Sequence, residues 1–476
     1  MKTYRAVVIL KKLSITERND LEEYLALSSS RCRPQVFELL SILIQHIDNI
    51  PDSKAAIHNL TGNSLKRLDD LTNKLLAHIE DFCARQSLLK ETSAVNFNRH
   101  LLAFYSERGL SDLFEPCYKR VDKQLKKVEP DFSVEHLDMY NYYTDLAIHD
   151  KIHKGRKLSI QLSEYAPHLD VFYYSEKLKV ICENLNRKNI SNTSTSYLKD
   201  AQMIFRLAGG YAKKYPIIEM YLTIAAFLKT GEVTTGKFDK LYAYIISIPV
   251  SWPSYTEIIS LCHYLINMCL RGIKNGNQHF QKRFIDLIIF MELKGLLLER
   301  ETISAPIFSA IVRIGLKEKG VLWTESFFRK YVSFLPPESK EEIIAFTEAL
   351  ILFYQKKYSL AEERLNSIET AVVDIYYKMN IHKLQIKILM EENIGQSHFD
   401  ISLVDKKLRN FGLFLTTNKS IGNPNKQELQ NFNLYVKRIA ANYGIKARRN
   451  AVLAKLMKET QVAEKEWLLS LFIKNA

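Results

Sequence analysis

The stretch Gly231-Glu232-Val233-Thr234-Thr235-Gly236-Lys237 matches the first seven positions of a phosphate-binding loop. Such a loop cradles phosphates with backbone N–H groups and continues into a Ser or Thr whose hydroxyl holds Mg²⁺. Here the next residue is Phe238, which has no hydroxyl. The loop must also follow a buried strand, whereas Tyr221–Leu228 lies in a helical context. The segment therefore reads as an inter-helix turn, with nucleotide binding at Gly231–Lys237 kept only as a remote alternative.

His149 and His153 stand one helical turn apart, a spacing that can hold zinc. The protease version has Glu in the second position as general base and a third ligand further on. Asp150 is shorter, and no later His or carboxylate stands out. The pair is read as exposed helical histidines. Cys262 and Cys269 share a helix face two turns apart, too far for one tetrahedral ion, and read as small buried side chains. No Gly-x-Ser-x-Gly elbow occurs, and no Cys, His and acid combination suggests a nucleophile. The adjacent pairs Glu362-Glu363 and Glu391-Glu392 point about 100° apart on a helix and read as solvated surface. No catalytic residue, metal or cofactor is expected.

Two basic clusters remain. Lys119, Arg120 and Lys123, with Lys126 and Lys127, spread over one broad helix face. Near the C-terminus, Lys437, Arg438, Lys446, Arg448, Arg449, Lys455 and Lys458 meet few acids. Phosphate contact would use such patches, Lys119, Arg120, Lys123, Lys437, Arg438, Arg448 and Arg449 first among them. The formal net charge of +14 agrees with attraction to nucleic acid or an anionic membrane. It agrees equally with a lysine-rich surface that keeps a long helical array in solution, and the solvated-face reading is preferred.

The elements that must position these residues are helices. With only 16 Gly and 12 Pro in 476 residues, the chain has too few turn formers for α/β or all-β architecture. Apolar residues at 47% against 25% charged mark a folded chain. Its length exceeds one ordinary core and implies several domains or an array of units sharing a continuous one. The apolar run Ala6–Leu10 is too short for a signal peptide, and no stretch approaches a membrane span. Six scattered cysteines, Cys32, Cys83, Cys117, Cys182, Cys262 and Cys269, contain no CxxC and suit a reduced compartment. A cytoplasmic protein is expected.

Ser14-Ile15-Thr16-Glu17 is a capping-box pattern that should open a helix through Leu21 and Leu25. Leu65, Leu68, Leu71, Leu75, Ile79 and Phe82 form one long apolar stripe. Phe97, Leu101, Phe104 and Tyr105 form another, broken at Arg108-Gly109 before a partner helix from Leu110 to Val128. Two amphipathic helices so closely joined make an αα-hairpin. The unit recurs around Asn275-Gly276-Asn277, around Gly320, and around Lys356-Lys357 between Ile343–Tyr354 and Tyr358–Ile368. The polar runs Arg187–Ser196 and Asn418–Lys426 read as loops. Boundaries follow there: an N-terminal module over 1–90, helix pairs over 91–190, a repeat array over 197–417 and C-terminal capping helices over 427–476.

The fourth pair resembles the tetratricopeptide repeat. Tyr358, Ala361 and Leu365, with Ala349, Leu352 and Phe353 in the preceding helix, carry the likeness. Small residues at Ala349 and Ala361 let two helices approach closely while Tyr358 and Leu365 fill the groove. Ala345 departs from the repeat's large aromatic and Lys356 from its frequent Gly, so the unit is degenerate. The whole chain also resembles a family of uncharacterised tetratricopeptide-like helical proteins found in the Bacteroidota. The matching stretches run in order: Leu13-Ser14 to Tyr24-Leu25, Leu65 to Leu89, Arg108-Gly109-Leu110 to Phe114, Ile273-Lys274-Asn275-Gly276, Lys294-Gly295-Leu296-Leu297-Leu298, Leu335-Pro336-Pro337-Glu338 and Glu466-Trp467-Leu468-Leu469. The resemblance implies an α-helical superhelix and no activity.

The expected fold is all-α, a superhelical array (α-solenoid) of antiparallel helix pairs. The expected function is a non-enzymatic protein–protein interaction scaffold binding a protein or peptide partner. A nucleic-acid-associated basic helical protein is the alternative.

Overall fold

The computed structural model describes residues 5–27, 34–62, 64–91, 94–125, 130, 132–153, 162–190, 200–249, 255–368, 375–394, 399–418, 421, 423–443 and 445–473. Among the described residues there are 23 α-helices and no strand. The chain divides into two compact units, Met1–Lys126 and Lys127–Ala476.

The first unit holds α1 (Arg5–Lys12), α2 (Ile15–Leu27), α3 (Pro34–Gln45), α4 (Lys54–Thr61), α5 (Leu65–Glu91), α6 (Ala94–Glu107) and α7 (Ser111–Leu125). The capping box forms as expected: the Glu17 carboxylate accepts from Ser14 N at 2.9 Å, and Ser14 Oγ accepts from Glu17 N at 3.2 Å. The α5 stripe buries Leu71, Leu75, Ile79 and Phe82 against α1–α3. The α6 stripe differs from expectation. Leu102 is its buried residue, while Phe97 and Phe104 stand exposed.

The second unit begins with α8 (Ser133–His153), α9 (Leu162–Ile190), α10 (Ala201–Gly209), α11 (Pro216–Thr230) and α12 (Thr235–Ser247). Next come α13 (Tyr255–Lys274), α14 (His279–Leu293), α15 (Ala305–Glu318), α16 (Val321–Tyr331), α17 (Lys340–Tyr354) and α18 (Tyr358–Asn366). It ends with α19 (Ile375–Asn393), α20 (Ile401–Thr417), α21 (Asn423–Ala441), α22 (Lys446–Lys458) and α23 (Lys465–Ile473). The polar run from Arg187 is helical as far as Ile190, because α9 is longer than its apolar pattern suggests; residues 191–199 lie outside the described set.

Consecutive helices pack on each other across short turns: α6 on α7, α13 on α14, α15 on α16 and α17 on α18. In α13, Gly272 sits so near α14 that a Cβ there would meet the Phe280 ring at 2.1 Å. In α15, a Cβ on Gly315 would come within 2.5 Å of the Trp323 ring. In α17 and α18 the small residues Ala349 and Ala361 are both without accessible surface. Small residues thus set the close approach that lets each pair exclude water. Beyond the pairs, α15 packs on α17 and α17 on α19, so one apolar core runs from Phe132 to Ile388 and a second from Ile386 to Phe472.

Four turns close with the same two backbone bonds. At Gly109, Gly276, Gly295 and Lys356 the residue's own N–H reaches back three residues and the next N–H reaches back five. This pattern places the named residue in the left-handed region, where glycine has no Cβ penalty. Three of the four are glycine. The fourth is Lys356, with φ +63°.

Candidate functional site

The C-terminal helix α23 and the pair α17/α18 wall a cleft of about 660 Å³ in the second unit. Its aromatic lining comes from Phe353 and Tyr354 at the end of α17, Tyr358 at the start of α18 and Trp467 in α23. Phe353 and Tyr358 pack with centroids 5.6 Å apart. Leu316 and Lys317 from α15 and Lys387 from α19 complete the floor.

Charge organises this region. On α19, Lys383, Lys387 and Glu391 recur every four residues and so share one face. Glu464, just before α23, accepts from Lys387 Nζ at 3.0 Å and from Lys383 Nζ at 3.3 Å. Burial opposes ionisation of Glu464, but the charges of Lys387, Lys383 and Lys317 outweigh it and hold the carboxyl well below its usual range. Burial also lowers Lys383 to about 8, helped by Arg313 and Lys387 and opposed by Glu464. Lys387 Nζ lies between two rings, 5.3 Å from the Phe353 centroid and 5.4 Å from that of Trp467. Trp467 Nε1 donates to Glu391 at 2.9 Å. Glu466 accepts from Gln281 at 3.1 Å and from Lys317 at 2.8 Å. In low dielectric such groups are costly unless paired, and here they pair across α14, α15, α19 and α23.

Neither this network nor the cleft was anticipated from the residues. The four-residue period of Lys383, Lys387 and Glu391 was visible, but its partners lie about 80 residues away at Glu464 and Trp467. Glu391 corrects one expectation directly: it is nearly buried, accepting from an indole, and is not solvated surface.

Comparison of the chain with protein-family models, with curated proteins and with solved structures finds no match.

The other candidates fall into place locally. Gly231 ends α11 in the left-handed region, Thr234 caps α12 by accepting from Lys237 N, and Phe238 is fully buried against Phe280 at 5.1 Å. Gly231–Lys237 is thus an inter-helix turn running into a helix, without the preceding strand a phosphate loop requires. His149 is buried on α8, correcting its reading as exposed, because that face of α8 turns inward together with Tyr142 and Leu146. The side chain of His153 lies outside the described residues. Cys262 and Cys269 have no accessible surface, and burial raises the thiol of Cys262 to about 12. Among the described residues no group of three potential ligands could hold a metal ion.

The basic clusters belong to different units and behave differently. On α7, Lys119, Arg120 and Lys123 are all exposed, Arg120 donating to Cys117 Sγ at 3.4 Å. In the second unit, Lys437 pairs with Asp405 at 2.9 Å, and Arg438 lies over the Tyr435 ring at 5.5 Å. Arg449 donates to the carbonyl of Phe472 at 3.3 Å. Arg448 is exposed. Two of the four C-terminal candidates, Lys437 and Arg449, therefore join neighbouring helices, while Arg438 packs on its own helix.

Proposed function

We propose that the chain is a non-enzymatic protein–protein interaction scaffold, in which the second unit is an α-solenoid of degenerate tetratricopeptide-like helix pairs and the cleft beside α17/α18 holds a segment of a partner protein. The observation that carries this reading is the cleft itself. Tyr354, Tyr358 and Trp467 offer ring surface backed by the buried Phe353, and most of the charges behind them are already paired, so a partner gains apolar contact without stripping water from bare ions. The likeness of α17/α18 to a tetratricopeptide unit, and of the chain to the Bacteroidota family, supports the same reading. Buried thiols and the absence, among the described residues, of a helix able to cross a membrane agree with a cytoplasmic location. Affinity capture of the tagged full chain from its own cells should recover a stoichiometric protein, and Tyr358→Ala should reduce that recovery. Capture of no protein under gentle conditions sinks the scaffold.

A second reading, association with nucleic acid, is favoured by the exposed α7 face of Lys119, Arg120 and Lys123. It requires affinity that falls steeply between about 50 and 200 mM salt. It also requires that replacing those three residues by Ala weaken binding; unchanged affinity excludes it.

A further inference from the structure

We infer that Lys356 is a recognition residue of the cleft, and that the partner segment presents an acidic side chain next to an aromatic one. The inference rests on the scaffold reading and adds the chemistry of the partner. Its starting point is the backbone. Gly109, Gly276, Gly295 and Lys356 occupy the same position in the same helix-ending turn, and a residue with a Cβ is strained there. At Gly109, Gly276 and Gly295 a Cβ would meet nothing within 4 Å, so glycine stands there for its backbone alone. Lys356 carries the same cost, and an uncommon left-handed residue is a reason to ask what its side chain does.

Glu464 shows what such a residue can gain. It too is left-handed, at φ +56°, and its carboxylate bridges Lys383 and Lys387. Lys356 lines the same cleft but, among the described residues, its ammonium has no ion pair, hydrogen bond or ring partner. Tyr358 and Phe353 stand beside it, and Lys387 lies behind them in the cleft lining. The complement to an unpaired ammonium on an aromatic wall is a carboxylate with a ring next to it. The chain's own Glu466-Trp467 already presents that chemistry to Lys317 and Lys387. Glu318 lines the same rim as an exposed carboxylate, but it sits in ordinary helical backbone and carries no strain.

Lys356→Gly separates the two roles, because it should relieve strain while removing the contact. The thermal midpoint of the full chain should rise by about 1–3 °C. The binding probe is a panel of short, C-terminally amidated peptides with Glu or Asp flanked by Trp, Tyr or Phe, read by fluorescence anisotropy beside the same panel carrying Gln or Asn. At least one acidic peptide should bind the wild type, more tightly than its amide counterpart. Lys356→Gly and Lys356→Asn should each weaken it about tenfold, Lys356→Arg should retain it, and Glu318→Gln should not weaken it. Three results overturn the inference: no acidic peptide binds, Lys356→Gly binds as the wild type does, or Lys356→Gly melts lower. If affinity capture still yields a protein partner while any of these holds, the scaffold reading stands and the role of Lys356 falls.

Discussion

The pairs α13/α14 and α17/α18 turn their chains with the same backbone bonds but differ in the turn residue and in what their outer surfaces meet. In α13/α14 the turn residue is Gly276, and the seam is apolar, closed where Gly272 admits the Phe280 ring. In α17/α18 the seam buries Ala349 and Ala361 completely, but the turn residue is Lys356 and the outer surface faces a cleft backed by buried charge. The difference teaches that helix pairing here needs only small residues at the contact and a left-handed turn. Lys356 and the paired charges behind the cleft are additions to that minimum.

The largest effect should come from the charged side of the comparison. Glu464→Gln leaves Lys383 and Lys387 partly desolvated without their carboxylate, which should cost about 3 kcal/mol in chemical denaturation. The same group makes stability depend on acid. Its folded pKa lies below the ordinary carboxyl value, so its contribution is complete above about pH 4.3 and is lost as pH falls through the folded value. Between pH 7 and 3 the wild type should lose more stability than Glu464→Gln. Equal slopes would mean that the pair contributes nothing.

On the apolar side, Gly272→Ala forces a methyl into the Phe280 ring and should cost about 2 kcal/mol, because a packed aromatic can yield only by shifting α14. A neutral result would show that the seam is looser than its distances. The smallest effects, and the most discriminating, compare the two turns. Gly276→Ala should lose about 1 kcal/mol and Lys356→Gly should gain a similar amount, from equivalent backbone positions. Two changes of the same sign would erase the contrast between the pairs.

Much of the helical plan was legible because it depends on local physics. The capping box at Ser14 and Glu17, the stripe from Leu71 to Phe82 and the breaks at Gly109, Gly276, Gly320 and Lys356 each follow from residues within a turn or two of one another. Exposure was less legible. Phe97 and Phe104 obey helical spacing yet lie exposed, and His149 obeys it yet lies buried, because periodicity says which residues share a face and not what that face meets. The basic residues near the C-terminus show the same limit, since Lys437 and Arg449 find Asp405 and the Phe472 carbonyl only through folding.

By itself, then, the sequence determined that the chain is helical, where several of the helix pairs turn, and that Gly231–Lys237 is a turn rather than a phosphate loop. Each of these is settled by hydrogen bonds and sterics within a few residues. Only the tertiary structure decided that Glu464 and Trp467 reach Lys383, Lys387 and Glu391, and that Lys356 opens onto the cleft they help to wall. Contacts about 80 residues apart depend on which helices pack together, and that choice is made by the summed burial of many apolar side chains, not by any motif.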